Sequence, residues 1–279
     1  MTAAPPAPAL VVVDMDGTLL DADHEIPDGL WPLLERMGRA GIAFAPASGR
    51  QYAMLARMFE RAAAGMVFIA ENGCVVVRDD VEISSTPLDP ATVRTAVTAV
   101  RSVAGDEVDR VDVGAVVCGR RTAYVERTDA TFRAAVDTYY ASVTEVDDLL
   151  TVDDEVVKVA VWTSADPTER VEPALAPLRA HQQVVVSGQR WVDVMPADAH
   201  KGHAVRALQE SLGVTPEETV AFGDYLNDLE MLDAAGQSYA MANAHPQVLA
   251  RARHRAPSNA DQGVLVVLRR LLDDAGVPA

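Results

Sequence analysis

Leu10 to Val13 form an unbroken apolar run that ends in DMDGT, and no other stretch restricts the fold so tightly. A short run that is apolar at every position is predicted to be a strand buried on both faces, as in a parallel sheet covered by helices. Such a strand delivers Asp14 and Asp16 to one carboxyl end. Either the carboxylates cap the turn that follows, or they hold a cation and do chemistry there.

The rest of the chain repeats the alternation. A helix is predicted from about 28 to 40, a strand over 42–45, a helix opening at Ser48, Gly49 and Arg50 and running to about 63, and a strand over 67–70 that leads into Glu71, Asn72 and Gly73. This rhythm predicts a doubly wound, parallel α/β sheet. From about residue 89 it changes to helix–strand–strand units. Helices are predicted over 89–103, 130–140 and 168–180, and strands over 111–117, 123–126, 156–162, 184–186 and 191–195. They indicate an α+β insert with a largely antiparallel sheet. After Pro196 the alternation returns, with a helix from Lys201, strands over 220–222 and 239–241, and a closing amphipathic stretch over 263–272. The expected organisation is a split core, 1–81 and 195–279, around an insert, 82–194. A chain of 279 residues is comfortable for two domains.

Composition closes several routes. With 49% hydrophobic and 23% charged residues, the chain has the balance of a folded globular protein. No apolar run approaches the ~18 residues needed to span a bilayer. The opening MTAAPPAPA has neither the basic start nor the long apolar stretch of a secretory leader. Cys74 and Cys118 make no disulfide framework and no metal-ligand spacing, so a cytoplasmic setting is expected. The net charge of -17, from 24 basic and 41 acidic residues, opposes polyanions, so neither nucleic acid nor an anionic membrane surface is an expected partner. A phosphorylated substrate would require local positive charge, from a metal or from a few placed cations.

A second acidic cluster weighs against simple turn-capping. AFGDYLNDLEM again ends a strand, with Asp224, Asn227 and Asp228 at spacings that predict one side of a helical turn. Ligands bind beyond the carboxyl ends of strands in open α/β sheets, so both clusters are expected to face one crevice. Hard oxygen ligands in that number suit Mg²⁺. Ser48 and Gly49 are expected to offer free backbone N–H groups and a helix dipole to an anion. Lys201, in HKGH, either offsets a phosphate among carboxylates or is a solvated surface residue. His200 and His203 read as surface or packing residues.

Taken in order, DMDGT at 14–18, Ser48 before Gly49 and Arg50, Lys201 with Gly202, and GDYLND at 223–228 resemble the four motifs of the haloacid dehalogenase superfamily of phosphatases. ENG at 71–73 and MANA at 241–244 resemble its Cof-type branch (subclass IIB). That branch carries a cap between its second and third motifs, where the α+β insert falls here. The resemblance covers essentially the whole chain, and implies a Rossmann-like core with an inserted cap. Ser48 stands where the branch usually has Thr, and either hydroxyl can bond a phosphoryl oxygen.

The resemblance implies roles residue by residue. Asp14 would be the nucleophile that forms a phosphoaspartate. Asp16 would be the general acid, then the base that activates water. Mg²⁺ would be held by Asp14, the backbone carbonyl of Asp16 and Asp224, with Asp228 in support. Ser48, Gly49, Arg50 and Lys201 would bind the phosphoryl group, and Thr18 and Asn227 would orient the loops. The substrate would be a small phosphorylated metabolite, with sugar phosphates the commonest, for a monomer or weak homodimer. Asn72 is a stronger substrate-binding candidate than Lys158, Arg190 or Trp191 on the insert. A phosphomutase on the same core, a non-catalytic phospholigand sensor and a receiver-type switch are the competing expectations. The last is shorter and has no cap.

Overall fold

The computed structural model describes residues 6–105 and 111–279. The expectation about the chain's opening therefore lies in part, at residues 1–5, outside the described residues. The chain divides into two compact units. One runs to Gly49 and takes in Met58–Ser84 and His200–Ala279; the other comprises Arg50–Arg57 and Ser85–Ala199. The expected boundaries at 81/82 and 194/195 thus stand a few residues away from the observed ones, and the short segment Arg50–Arg57 groups with the second unit.

The first unit is built on an eight-stranded sheet. Its first five strands are β1 (Leu10–Asp14), β2 (Ala43–Ala47), β3 (Val67–Ala70), β4 (Val75–Arg78) and β5 (Val81–Ser85). All five residues of β1 are buried, which requires cover on both faces and accounts for its unalternating sequence. Helix α1 (Leu30–Arg39) shows why a helix forms next: Leu30, Leu33, Leu34 and Met37 recur on one face and are buried. Helix α2 (Tyr52–Met58), which but for Met58 groups with the second unit, has seven residues, starting later and ending earlier than expected.

The second unit carries a six-stranded sheet of β6 (Val113–Gly119), β7 (Ala123–Val125), β8 (Val143–Glu145), β9 (Val156–Thr163), β10 (Gln182–Gly188) and β11 (Trp191–Pro196), in the order β10-β11-β9-β6-β7-β8. Its helices are α3 (Pro90–Ala104), α4 (Ala130–Asp137) and α5 (Val171–Leu175). The Asp89 side chain accepts the Ala91 N–H and so caps α3, with Pro90 in the first turn where a missing donor costs nothing. Val113, Ala115 and Val117 alternate with residues of the opposite face and join Val159, Val161, Val192 and Val194 in one core under α3 and α5. Pairing is antiparallel except between β7 and β8, which run parallel; β8 escaped the sequence pattern because one of its three residues is apolar and none is buried.

The chain then returns to the first sheet through α6 (Lys201–Leu212), β12 (Thr219–Gly223), α7 (Leu229–Ala234), β13 (Gln237–Met241), α8 (Pro246–Arg251), β14 (His254–Ala256) and α9 (Gly263–Asp274). Strand order is β14-β13-β12-β1-β2-β3-β4-β5, parallel from β14 to β3, with β4 antiparallel to β3. This is the doubly wound α/β core, extended by a hairpin that the sequence pattern did not announce. Chain progression runs outward from β1 through β2 and β3 on one side, and from β12 through β13 and β14 on the other. The reversal lies between β1 and β12, which is where such sheets open a crevice at their carboxyl ends.

Candidate active site

Asp14 ends β1 and Asp224 follows β12, so the two strands at the reversal each deliver a carboxylate to the same place. Asp14, Asp224 and Asp228 offer oxygens within 4.8 Å of one another, the cluster of this kind found among the described residues. Lys201, the first residue of α6, is wholly buried. Its Nζ donates to Asp14 Oδ1, and to Asp228 Oδ1 at 2.7 Å. The surface alternative for Lys201 is thereby set aside. Asp224 accepts from Thr18 Oγ1 at 2.9 Å.

The second acidic segment departs from its expected geometry. Asp224 is not on a helical turn with Asn227 and Asp228, because the tight turn Leu226–Asp228 begins after it. Asp228 Oδ2 instead accepts the N–H groups of Asp224 and Tyr225, at 2.9 and 3.1 Å, and closes the turn on itself. Asn227 points elsewhere, donating to Asn72 Oδ1 at 3.2 Å. Gly223 is needed behind this turn: a Cβ there would lie 2.6 Å from the Cβ of Asp228.

Electrostatics follow from burial. Desolvation first, then the carboxylate of Asp228, pushes Asp14 well above the ordinary carboxylate range, while Lys201 pulls it down. Asp224 is likewise raised, by burial and then by Asp228. For Lys201 burial alone would favour the neutral amine, but Asp14 and Asp228 outweigh it and the ammonium is held above its usual range. Three carboxylates thus share one lysine, a donor set of hard oxygens short of positive charge. That set fits a small divalent cation. Asp228 already accepts three donors on its two oxygens, which leaves Asp14 and Asp224 with the capacity to coordinate.

The other expected residues fall into place unevenly. Ser48 is buried directly after β2, but its N–H is engaged by Ile69 O at 2.9 Å, and helix α2 begins only at Tyr52. The expected helix-dipole site is therefore corrected at Ser48, whose N–H and carbonyl pair with Ile69 and Asn72, while Gly49 lies in a bend before α2. Gly49 allows close approach of the Asn72 amide, which would be 3.1 Å from a Cβ at residue 49. Glu71, Asn72 and Gly73 all have positive φ, at 50°, 56° and 97°, a turn that β-branched residues would not adopt. Arg50 belongs to the second unit. Asp16 lies in the loop after β1 with its carboxylate 47% exposed and 3.5 Å from His24 Nδ1.

Within the second unit Lys158 is buried, 3.9 Å from Asp193 and over the Tyr140 ring, while Trp191 packs edge-on against Tyr139. Arg190 is exposed at the β10–β11 turn. His200 has a definite structural role, since its Nδ1 accepts the His203 N–H at 3.1 Å and caps α6 immediately before Lys201. Its carbonyl presses on Gly73, where a Cβ would lie 2.6 Å away.

Two residues with no role in the sequence pattern complete the loop. Asn243 donates to Gly17 O at 2.8 Å and Asn259 donates to Leu20 O at 2.9 Å. MANA marked Asn243 as a point of family likeness, but no spacing rule connects residues that far apart in the chain.

The sequence profile of haloacid dehalogenase-like hydrolases matches residues 11–268. The chain is 33% identical to the 5-amino-6-(5-phospho-D-ribitylamino)uracil phosphatase of Escherichia coli (strain K12), over 94% of this chain and 96% of that one. It is 28% identical to the HMP-PP phosphatase of Cronobacter sakazakii, over 86% of each. Its fold superposes on the crystal structure of a haloacid dehalogenase-like hydrolase from Bacteroides thetaiotaomicron with a TM-score of 0.82, at 23% identity, covering 95% and 99% of the two chains.

Proposed function

The chain belongs to the haloacid dehalogenase-like hydrolases and is a phosphatase of small phosphorylated compounds, and we propose that it works through a phosphoaspartate on Asp14 with Mg²⁺ at the adjoining carboxylates. The observation that carries this is Lys201, buried between Asp14 and Asp228 with Asp224 beside them. A lysine placed there offsets one of three carboxylate charges, and the remaining negative charge calls for a divalent cation before a phosphoryl group can approach.

In the first step an Asp14 carboxylate oxygen attacks phosphorus, the bond to the ester oxygen breaks, and the Asp16 carboxyl gives its proton to that leaving oxygen. In the second, Asp16 takes a proton from water, whose oxygen attacks the phosphoaspartate; inorganic phosphate leaves and Asp14 is restored. Asp14, the Asp16 carbonyl and Asp224 would hold Mg²⁺, with Asp228 fixing Lys201 and the turn behind. Bound there, Mg²⁺ supplies charge neutralisation at the transferring phosphoryl group and keeps the buried carboxylates ionised. Lys201 and Ser48 bind phosphoryl oxygens, with Gly49, Asn72 and Asn227 of the same unit around them.

Sugar and sugar-alcohol phosphates are the proposed substrates. The similar Escherichia coli enzyme is named for a phosphate carried on a ribityl chain, a primary ester of the same kind. A cytoplasmic setting is supported by the two cysteines, both buried thiols outside any disulfide. The test is phosphate release from a panel of sugar, nucleotide and vitamin phosphates, with Asp14→Asn alongside. Release by the wild type that disappears in the variant is the expected result. Unchanged turnover in Asp14→Asn would remove Asp14 as nucleophile.

A further inference from the structure

We propose that Asn243 is a positioning residue for Asp16, holding the Gly17 carbonyl and so setting the backbone from which the Asp16 carboxyl reaches the leaving oxygen. This rests on Asp16 acting as the general acid. The chain is extended at Asp16 (φ -78, ψ 122) and turns left-handed at Gly17 (φ 79). Holding the peptide plane after Gly17 therefore restrains, through that turn, the backbone that aims the Asp16 Cα–Cβ bond. Asn243 Nδ2 donates to that plane's oxygen at 2.8 Å.

Asn243 is itself anchored. It follows β13, and its Oδ1 accepts the Asn259 N–H at 3.2 Å. Asn259 Nδ2 in turn holds Leu20 O at 2.9 Å, and the Leu20 N–H closes on Met15 O at 2.9 Å. The loop that carries Asp16 is thus gripped at its middle and at its end by two asparagines. The same turn ties the other acidic segment, because the His245 N–H donates to Asp224 O at 2.8 Å. Asn243 lies at the surface, so its amide does not serve packing. One hydrogen bond at Gly17 is the use the structure makes of it toward the site.

A general acid matters most when the leaving group is a poor one. Phenyl phosphate and 4-nitrophenyl phosphate have nearly the same shape, but the nitrophenolate leaves with little help from an acid. The experiment measures kcat/KM, which reports the first phosphoryl transfer, for both esters in wild type, Asn243→Ala and Asp16→Asn, with a thermal melt of each. Asn243→Ala is expected to lose about tenfold on phenyl phosphate and less than about twofold on 4-nitrophenyl phosphate, since misplacing a catalytic group by an ångström costs up to about 100-fold. Asp16→Asn is expected to show the same split, larger. Equal losses on both esters in Asn243→Ala, or none, while Asp16→Asn shows the split, would overturn the positioning role alone. No split in Asp16→Asn would overturn the acid assignment itself.

Discussion

Gly17 lies directly beneath the Asp224 carboxylate: a Cβ at residue 17 would collide with Asp224 Oδ2, and the backbone there is left-handed at φ 79°. Residues separated by most of the chain are thereby made neighbours, one from each acidic segment. Gly17→Ala is expected to displace Asp224, lower phosphatase activity by about 100-fold or more, and destabilise by more than about 1 kcal/mol through the positive φ. Steady-state kinetics with a urea titration checks both; full activity would mean the loop yields freely.

Lys201 is a buried cation whose removal strands two carboxylates. Lys201→Met is expected to abolish turnover and to cost about 3–5 kcal/mol, the usual consequence of breaking a buried pair from one side. Asp228→Asn, though isosteric, is also expected to destabilise, by about 1–3 kcal/mol. Both Asp228 oxygens accept, from Lys201 and from two N–H groups, so an amide nitrogen must face a donor on one side. Denaturant unfolding of each variant measures this, and wild-type stability in Asp228→Asn would contradict the geometry.

Chelation tests the cation. EDTA is expected to silence the enzyme and Mg²⁺ to restore it. Mg²⁺ should also raise the melting temperature of the wild type, because binding to the folded state alone stabilises it by mass action. In Asp224→Asn that thermal shift should shrink sharply. An equal shift in both proteins would place the cation elsewhere.

Asp129 provides a pH signature in the second unit. Its carboxylate, bonded first to Arg127 and also capping α4 through the Phe132 N–H, is held down at about 2 against an ordinary 3.8. A depressed acid stabilises above its unfolded value and loses that contribution as pH falls, here from about 4 towards 2. The urea midpoint of wild type should exceed that of Asp129→Asn near neutrality, and the gap should close across that window. A gap unchanged at pH 2 would show that the cap rather than the charge carries it. The carboxylate is half exposed, so the gap will be small.

The amino-acid order alone was enough to place the local elements and the residues at their ends. β1 had to be a strand covered on both faces, since its residues are apolar without alternation; Asp14, Asp16, Asp224 and Asp228 had to follow strand ends; α6 had to begin at Lys201. These are nearest-neighbour properties, governed by period and by the residues that flank an element. The α+β character of the insert was legible for the same reason, whereas β8 and β5 bury none of their residues and so left no apolar pattern to read.

Tertiary structure decided everything that depends on distance through space. It placed Lys201 in the carboxylate cluster instead of in solvent, and turned Asp228 into a brace by giving both its oxygens donors. It kept Ser48 in sheet pairing, deferring helix α2 to Tyr52. It brought Asn243 to Gly17. Sequence periodicity records which face of an element is apolar, but it holds no term for the packing of one strand end against another, and at this site that packing sets which carboxylates are free to act.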